Sequence, residues 1–472
     1  MNTFLKNISI YSIGRILPPF LSFLLLPIYT SNTTILDYGI ISSMQILNIF
    51  IALTFTLALD LALFRIYHDY KIEKDKRDLL GTIFIFFLLI SFFFSLIYFL
   101  FQNNLILIFK SIEFSPYYII TIGYTFLNIF SIIPLIYLQI NHKSKSYVIL
   151  SLSSTVLSIC FILYFLVFKQ QGAVGYLKGE FFSKLILLPV FLYSTIKIIN
   201  FKFSFPKLIN TLKFSLPMIP GLLSAWILNL SDRIFIERYF SLNEVAIYSV
   251  SYKIATIVLI LSGAFAMAYN PYFYEKAASP NQICAKKELS YINNIYVIVS
   301  FYFSVGIILF ANNIFDIFFN EAYFSGYAIV PLIVLGCFFN LITGLLNLMF
   351  NQEKKSLQLM YFTFIGAILN IILNFIFIPN FGMQGAALSS FICFLLIFLI
   401  VYKYAKLYYF IEFDFKLIFR TLIPMLSLIV ICFFNNTTSR MLLFKIFIFI
   451  GVGLISIHKI SPTFFTNRFK KL

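Results

Sequence analysis

The amino-acid sequence predicts an all-α polytopic membrane protein with about 14 transmembrane helices. Three observations support this fold class. First, 61% of the 472 residues are hydrophobic, only 11% are charged, and the mean hydropathy is +0.95, whereas a soluble chain of this length would carry far more charge. Second, apolar runs of spanning length follow one another along the chain. Third, no loop is long enough to fold as a catalytic domain, so the activity lies within or across the bilayer.

The predicted spans are apolar runs long enough to cross a hydrocarbon core of roughly 30 Å. In chain order they cover residues 7–30, 39–64, 79–101, 114–140, 147–168, 173–197, 214–231, 246–270, 291–311, 328–350, 357–378, 384–404, 417–434 and 441–460. With the N-terminus inside, 24 Lys and Arg residues lie on the cytoplasmic side and 5 on the outer side. Because cytoplasmic loops carry the excess of Lys and Arg, we expect both termini in the cytoplasm.

The formal net charge of +17 does not indicate nucleic-acid binding, because the basic residues lie mainly in short loops at the ends of the spans. The histidines, His68, His142 and His458, have no partner at metal-ligand or triad spacing, and the five cysteines form no CxxC motif. No P-loop is found in the sequence. The sequence therefore predicts a protein that is not an enzyme, with no metal, no cofactor and no nucleic-acid partner.

Three short motifs recur in the same order in the two halves of the chain. At an offset of 210, NHKSKS (141–146) pairs with NQEKKS (351–356) and GAVG (172–175) with GMQG (382–385); at an offset of 207, DYGIIS (37–42) pairs with EVAIYS (244–249). We therefore predict an N-terminal six-helix lobe over 1–206, a C-terminal six-helix lobe over 207–404, and two extra helices with a cytoplasmic tail over 405–472. Such parallel repeats typically enclose a central cavity.

Several motifs resemble those of the polysaccharide (O-antigen and capsule repeat-unit) flippases of the multidrug/oligosaccharidyl-lipid/polysaccharide exporter superfamily. The resemblance covers essentially the whole chain. One departure is Ala246, where the relatives often have glycine. The motifs are Ser12-Ile13-Gly14-Arg15 with Leu24–Tyr29, Asp37-Tyr38-Gly39, Phe214-Ser215-Leu216-Pro217, Asn229-Leu230-Ser231-Asp232-Arg233, Ile247–Ile254, Asn270-Pro271 and Phe381–Ala387.

This resemblance implies a function, partners and a location. The chain would flip an undecaprenyl-diphosphate-linked oligosaccharide repeat unit across the bacterial cytoplasmic (inner) membrane by alternating access, for O-antigen, capsule or related surface polysaccharides. The glycan and pyrophosphate would pass through a hydrophilic cavity while the lipid tail stays in the bilayer. The partners would be the lipid-linked oligosaccharide and membrane lipids, with a polysaccharide polymerase and its chain-length machinery as further candidates.

A pyrophosphate group that leaves water needs fixed cations in the cavity. The lobe spans contain four basic residues, Arg15, Lys178, Lys184 and Lys253, which we expect to form a cationic, substrate-binding cavity. Arg15 and Lys253 each share a helical stripe with polar residues, which favours the cavity over lipid. The alternative for both is a side chain that extends to the lipid headgroups.

Lys178, Glu180 and Lys184 form a charge cluster that the second lobe lacks. Such asymmetry suits an asymmetric cargo or a coupling-ion site. The alternative is that Glu180 and Lys184 neutralise each other, because their i,i+4 spacing favours an ion pair.

Asp60, Glu180 and the pair Asp232–Arg233 each have two interpretations. Asp60 and Glu180 are candidate coupling acids, while Asp60 could instead pair with Arg65. Asp232 and Arg233 are predicted to form a structural ion pair rather than to bind substrate. Polar residues at helical spacing in spans 10 and 11 suit either glycan hydrogen bonds or helix association. They include Asn340, Thr343, Asn347, Asn370 and Asn374.

Three other classes of protein remain as alternatives. A multidrug/cation antiporter of the same superfamily should present an acidic cavity, whereas the lobe spans carry four basic residues against the acids Asp60 and Glu180. A polysaccharide polymerase would need a substantial basic outer loop, which the sequence lacks. A scaffold or scramblase would not lose export when a single cavity cation is removed.

Overall fold

The computed structural model describes residues 14, 17–414, 416–418, 449 and 451, and all regular secondary structure within them is helical. Three predicted in-span cations lie outside the described residues: Arg15, Arg420 and Lys445. Most of the predicted spans 417–434 and 441–460 also lies outside them. Ten described segments are long and apolar enough to cross a membrane, and they cover the eleven predicted spans from 39–64 to 384–404. The chain is thus an all-helical, multi-pass membrane protein, and the count of 14 spans stays a prediction.

The helices up to residue 239 follow the predicted order of spans. They are α1 (Leu17–Ser31), α2 (Ile35–Thr56), α3 (Leu59–Ile66), α4 (Glu73–Leu100), α5 (Gln102–Ile106), α6 (Ile119–Ile140), α7 (Ser144–Leu163), α8 (Gly172–Ile198), α9 (Phe205–Ser215), α10 (Ile219–Leu230) and α11 (Asp232–Tyr239). Five more helices follow. They are α12 (Leu242–Ala255), α13 (Ile257–Ala277), α14 (Gln282–Phe318), α15 (Val330–Gln352) and α16 (Ser356–Ala405).

Two compact units divide the chain. The first comprises the residues up to Ser249 together with Thr363–Ala386, and the second comprises Val250–Phe362 and the residues from Ala387. These limits differ from the repeat boundaries at 206 and 404, and the two-lobe division stays a prediction.

In the first unit, α2, α4 and α6 pack against one another, and α7 and α8 pack on α6. Phe55 and Phe87 are fully buried there, whereas α4 exposes Leu89, Phe92 and Leu96 on its other face. In the second unit, α13, α14 and α15 pack together around side chains such as Phe301. Because lipid is as apolar as these side chains, dispersion contacts rather than water exclusion hold the helices together.

Span 39–64 is not one continuous helix, contrary to prediction. Helix α2 ends at Thr56, and Leu57 and Ala58 both take left-handed backbone angles, with φ of 47° and 58°. Helix α3 then begins at Leu59. Hydropathy does not detect such a break, because both residues are ordinary apolar side chains. As a result, Asp60 lies in the first turn of a new helix rather than inside a spanning one.

The 50-residue helix α16 includes a break at Gly382 (φ 55°, ψ −133°). A straight helix of this length would measure about 75 Å, more than twice the hydrocarbon core, so α16 accounts for two predicted spans. Gly172, which begins α8, has φ +54°. The two glycines are the ones that the 210-residue offset aligned, and glycine takes a positive φ without steric cost.

The predicted register at 141–146 is wrong by two residues. His142 and Lys354 both have φ 56°, and the next residues, Lys143 and Lys355, donate backbone hydrogen bonds of 2.9 Å to the carbonyls of Leu138 and Phe350. The helices that follow begin at Ser144 and Ser356. The local backbone therefore recurs at an offset of 212. Aligning the residues of NHKSKS with those of NQEKKS gave an offset of 210 because the lysines occupy different positions in the two motifs.

Candidate functional site

The charged cluster of α8 lies in the first unit, with all three side chains half-buried. Lys178 Nζ donates to Gln171 Oε1 at 3.0 Å, and Lys184 Nζ donates to Ser154 Oγ of α7 at 3.1 Å. Among the described residues, no carboxylate lies within 4.0 Å of either ammonium. The Glu180–Lys184 ion pair that the spacing favours is therefore not formed, and both lysines are hydrogen-bonded to neutral partners.

Glu180 faces α7 and a group of tyrosines. It accepts a long hydrogen bond, 3.4 Å, from Ser158 Oγ. It also lies within electrostatic range of the hydroxyl groups of Tyr29, Tyr124 and Tyr176. The spacing of Tyr176 and Glu180, one helical turn apart on α8, could have revealed this association, which the charge pattern alone did not.

Polar side chains of α2 complete this part of the first unit. Gln45 Nε2 donates to the Tyr176 hydroxyl at 2.7 Å, and Asn48 Oδ1 accepts from Thr125 Oγ1 at 2.6 Å. The rings of Tyr29 and Tyr176 meet edge to face with centroids 5.6 Å apart. We call Gln45, Asn48, Tyr29, Tyr124, Tyr176 and Glu180 the tyrosine cluster. With two lysines on the same helix, α8 offers ammonium and hydroxyl donors suited to phosphate and sugar oxygens.

Asp60 does not pair with Arg65 among the described residues. The Arg65 guanidinium lies over the ring of Phe214, 5.0 Å from its centroid. The Asp60 carboxylate instead faces the Thr56 hydroxyl and the backbone N–H groups of Asp60 and Leu61. The carboxylate lies in the first turn of α3, where negative charge is favourable beside the free N–H groups of the helix start.

Asp232 and Arg233 are deeply buried at the junction of α10 and α11, with exposed fractions of 1% and 4%. Arg233 Nη1 lies 3.1 Å from Asp232 Oδ1 and also donates to the carbonyl of Asn229 at 2.6 Å. The Tyr248 hydroxyl donates to Asp232, and its ring lies under the guanidinium, 5.1 Å from Arg233 Cζ. Such burial requires the two charges to compensate each other.

Asn370 and Asn374 are fully buried in the first unit. Asn370 Oδ1 accepts from Ser231 Oγ at 3.3 Å and from Asn374 Nδ2 at 3.1 Å. Beside them, the rings of Phe235 and Phe375 meet edge to face with centroids 4.9 Å apart. Within this unit, the two asparagines therefore join helices rather than lie exposed to a glycan.

The four predicted cavity cations are not all placed by the structure. Lys178 and Lys184 lie on α8 of the first unit, Lys253 is half-buried on α12 in the second unit, and Arg15 lies outside the described residues. A cavity shared by all four stays a prediction.

Two family models match the chain. The model described as polysaccharide biosynthesis protein matches residues 4–276, which is more than half of the chain. The chain belongs to the polysaccharide biosynthesis protein family. A second model, described as MatE, matches residues 217–376 of this family member. The resemblance predicted from the motifs is thus confirmed at the level of the family.

Curated relatives match only part of their length. An uncharacterized membrane protein of Methanocaldococcus jannaschii is 24% identical over 270 residues, which cover 53% of this chain and 50% of that protein. Protein 1 of the Lsg locus of Haemophilus influenzae is 27% identical over 276 residues, which cover 57% of this chain and 66% of that protein. The chain therefore spans about half to two thirds of the length of these relatives.

Solved structures share the fold over nearly the whole chain. The lipid II flippase MurJ, in its inward closed conformation, matches with a TM-score of 0.73 and 20% identity, covering 96% of this chain and 98% of that one. The MATE multidrug transporter DinF-BH matches with a TM-score of 0.60 and 15% identity, covering 86% and 95%. This polysaccharide biosynthesis protein thus shares the fold of these two proteins, a lipid II flippase and a multidrug transporter.

Proposed function

We propose that the chain flips an undecaprenyl-diphosphate-linked oligosaccharide repeat unit from the cytoplasmic to the outer leaflet of the bacterial cytoplasmic membrane. The observation that carries this proposal is the match to a polysaccharide biosynthesis family in a multi-pass chain with the fold of transporters. A glycan head group cannot cross hydrocarbon unaided, because each unpaired polar group costs several kcal/mol, roughly 2–7, in an apolar medium. A polar path through the protein removes that barrier while the lipid tail stays in the bilayer.

The chemistry of α8 supports an anionic, sugar-bearing cargo. Lys178 and Lys184 are charged but hydrogen-bonded only to neutral groups among the described residues. A pyrophosphate can replace Gln171 and Ser154 as their acceptor and gains charge-assisted hydrogen bonds that the neutral partners do not provide. The rings of Tyr29, Tyr124 and Tyr176 in the neighbouring tyrosine cluster are buried, so the two lysines carry this argument.

Alternating access and orientation complete the proposal. The 24-to-5 distribution of Lys and Arg supports cytoplasmic termini, so the cargo would be loaded on the side where the loops between α3 and α4 and between α8 and α9 lie. The product would serve O-antigen, capsule or a related polymer, with a polymerase and chain-length machinery acting after the flip.

Removal of the chain from its host cell tests the proposed function. We expect surface polysaccharide to disappear and undecaprenyl-diphosphate-linked repeat units to accumulate facing the cytoplasm, both restored by the intact chain. The measurement is glycan display, together with protection of the lipid-linked units from a glycosidase added outside. Normal display after removal would contradict the proposal, and loss of cationic-dye efflux in its place would favour the multidrug/cation antiporter.

A further inference from the structure

A short connection between α8 and α9 is held against the first turns of α4. We call residues 199–204 the strap. Asn200 donates through its backbone N–H to the Arg77 carbonyl at 3.1 Å and through Nδ2 to Asp78 Oδ1 at 2.8 Å. Gly81 allows the close approach, because a Cβ at that position would lie 1.8 Å from the Asn200 carbonyl oxygen. The strap is therefore docked by specific bonds at its first residues.

The rest of the strap is attached in the same way. The Ser204 N–H donates to Thr82 Oγ1 at 3.1 Å. The Thr82 hydroxyl itself donates to the Asp78 carbonyl at 2.7 Å and lies 3.2 Å from the Lys202 carbonyl oxygen. Just beyond the strap, Lys207 Nζ bonds Asp75 Oδ1 at 2.9 Å. With its backbone bonded to α4, the strap leaves the side chains of Phe201 and Phe203 exposed.

Those side chains are large and apolar. Phe201 is 65% exposed, Phe203 44%, and Phe205, which begins α9, 62%. The exposed face of α8 leads directly to them through Tyr193 and Ile196. Since α8 is a candidate membrane span, this apolar surface continues the lipid-facing surface of that helix. Aromatic side chains of this kind are typical of the interface between headgroups and acyl chains.

The chain segment that contains the strap carries only positive charge. No acidic residue occurs between Glu180 and Asp232, a stretch that contains five lysines. Lys197 is exposed and lies over the ring of Tyr193, 4.1 Å from its centroid. The Lys202 side chain is 67% exposed, with Asp78 Oδ2 at the limit of ion pairing, 4.0 Å from its Nζ. The exposed surface thus combines aromatic side chains with positive charge.

We propose that the strap is a docking surface for anionic phospholipid of the cytoplasmic leaflet, with Phe201, Phe203 and Phe205 inserted among the acyl chains and Lys197 and Lys202 on the headgroup phosphates. Anionic lipid satisfies both features at once, since it presents hydrocarbon beside negative charge. The surface adjoins the lipid-facing side of α8, which favours lipid over a soluble protein as its occupant.

Tryptophan fluorescence with brominated lipids tests this surface directly. The full chain carrying Phe203→Trp is placed in vesicles that contain either brominated phosphatidylglycerol or brominated phosphatidylcholine, and the signal of the parent protein, which has only Trp226, is subtracted. A lysine near the membrane surface enriches anionic lipid by roughly fivefold. We therefore expect quenching by phosphatidylglycerol to be at least about twice that by phosphatidylcholine.

Matched lysine variants identify the source of the preference. Lys197→Gln with Lys202→Gln should abolish it. Lys71→Gln with Lys74→Gln, which changes two exposed lysines just before and within the first turn of α4, should leave it intact. Equal quenching by the two lipids overturns the anionic site. No quenching by either lipid overturns the lipid surface and favours a protein partner. If Phe203→Trp does not fold, Phe201→Trp reports on the same surface.

Discussion

The ammonium of Lys184 is hydrogen-bonded to Ser154 of the neighbouring helix, at 3.1 Å, and not to Glu180 one turn away on its own helix. The Glu180 carboxylate instead accepts a hydrogen bond from the Ser158 hydroxyl. Lys184 and Glu180 therefore have separate hydrogen-bond partners on one face of α8. An ion pair between them would have left neither group available to a charged cargo.

A double-mutant cycle on Glu180 and Lys184 should show little coupling. Because the two groups are i,i+4 neighbours without a direct ion pair, we expect the coupling between Glu180→Gln and Lys184→Gln in the unfolding free energy to stay below about 0.5 kcal/mol. Thermal unfolding in detergent measures both single variants and the double variant. A double variant that is as stable as the parent, while each single variant is impaired, would show that the two charges are paired after all.

The buried pair of Asp232 and Arg233 should be needed for stability. Asp232→Ala leaves the Arg233 guanidinium buried without its carboxylate, and breaking such a pair typically costs roughly 3–5 kcal/mol. We expect the melting temperature to fall sharply, while Glu113→Ala, which removes an exposed carboxylate, leaves it nearly unchanged. Equal melting temperatures for the two variants would contradict a structural role for the pair.

The two positive-φ glycines should both tolerate alanine poorly, for different reasons. At Gly172 the added Cβ would lie 2.8 Å from the Asp37 carboxylate. At Gly382 the nearest atom is a Phe240 ring carbon at 3.4 Å, but the backbone angles of 55° and −133° lie in a region that glycine adopts and alanine avoids, at a cost of roughly 1–3 kcal/mol. Gly172→Ala and Gly382→Ala should therefore each lower the melting temperature. Gly344→Ala, in open space on α15, is the control, and a loss there as large as at Gly172 would contradict this reasoning.

The break in span 39–64 gives a matched pair of alanine-to-glycine changes. Ala58 has φ 58°, where glycine is preferred, while Ala62 is helical on α3, and both are buried. Glycine costs roughly 1 kcal/mol at a helical site, whereas at Ala58 it relieves a left-handed strain of similar size. We expect Ala58→Gly to be more stable than Ala62→Gly by about 2 kcal/mol in thermal unfolding. Equal stabilities would show that the break is not strained.

Hydropathy and charge predicted most of the fold. Spans and the family follow from patterns along the chain, because a bilayer imposes length and apolarity on every crossing segment. The break at Leu57 and Ala58 escaped prediction because no glycine, proline or charge marks it. The hydrogen-bond partner of Lys184 was not predicted because Ser154 lies on another helix. Residue spacing within one helix cannot identify a contact between two helices.

Transport of a lipid-linked oligosaccharide by purified protein tests the central claim most directly. In liposomes, the intact chain should move an undecaprenyl-diphosphate-linked oligosaccharide between leaflets, measured by its accessibility to an external lectin. Lys178→Gln with Lys184→Gln should abolish most of this movement, whereas the exposed loop pair Lys110→Gln with Lys169→Gln should preserve it. Movement at the rate of protein-free liposomes with the intact chain, or undiminished movement in the α8 double variant, would contradict the account.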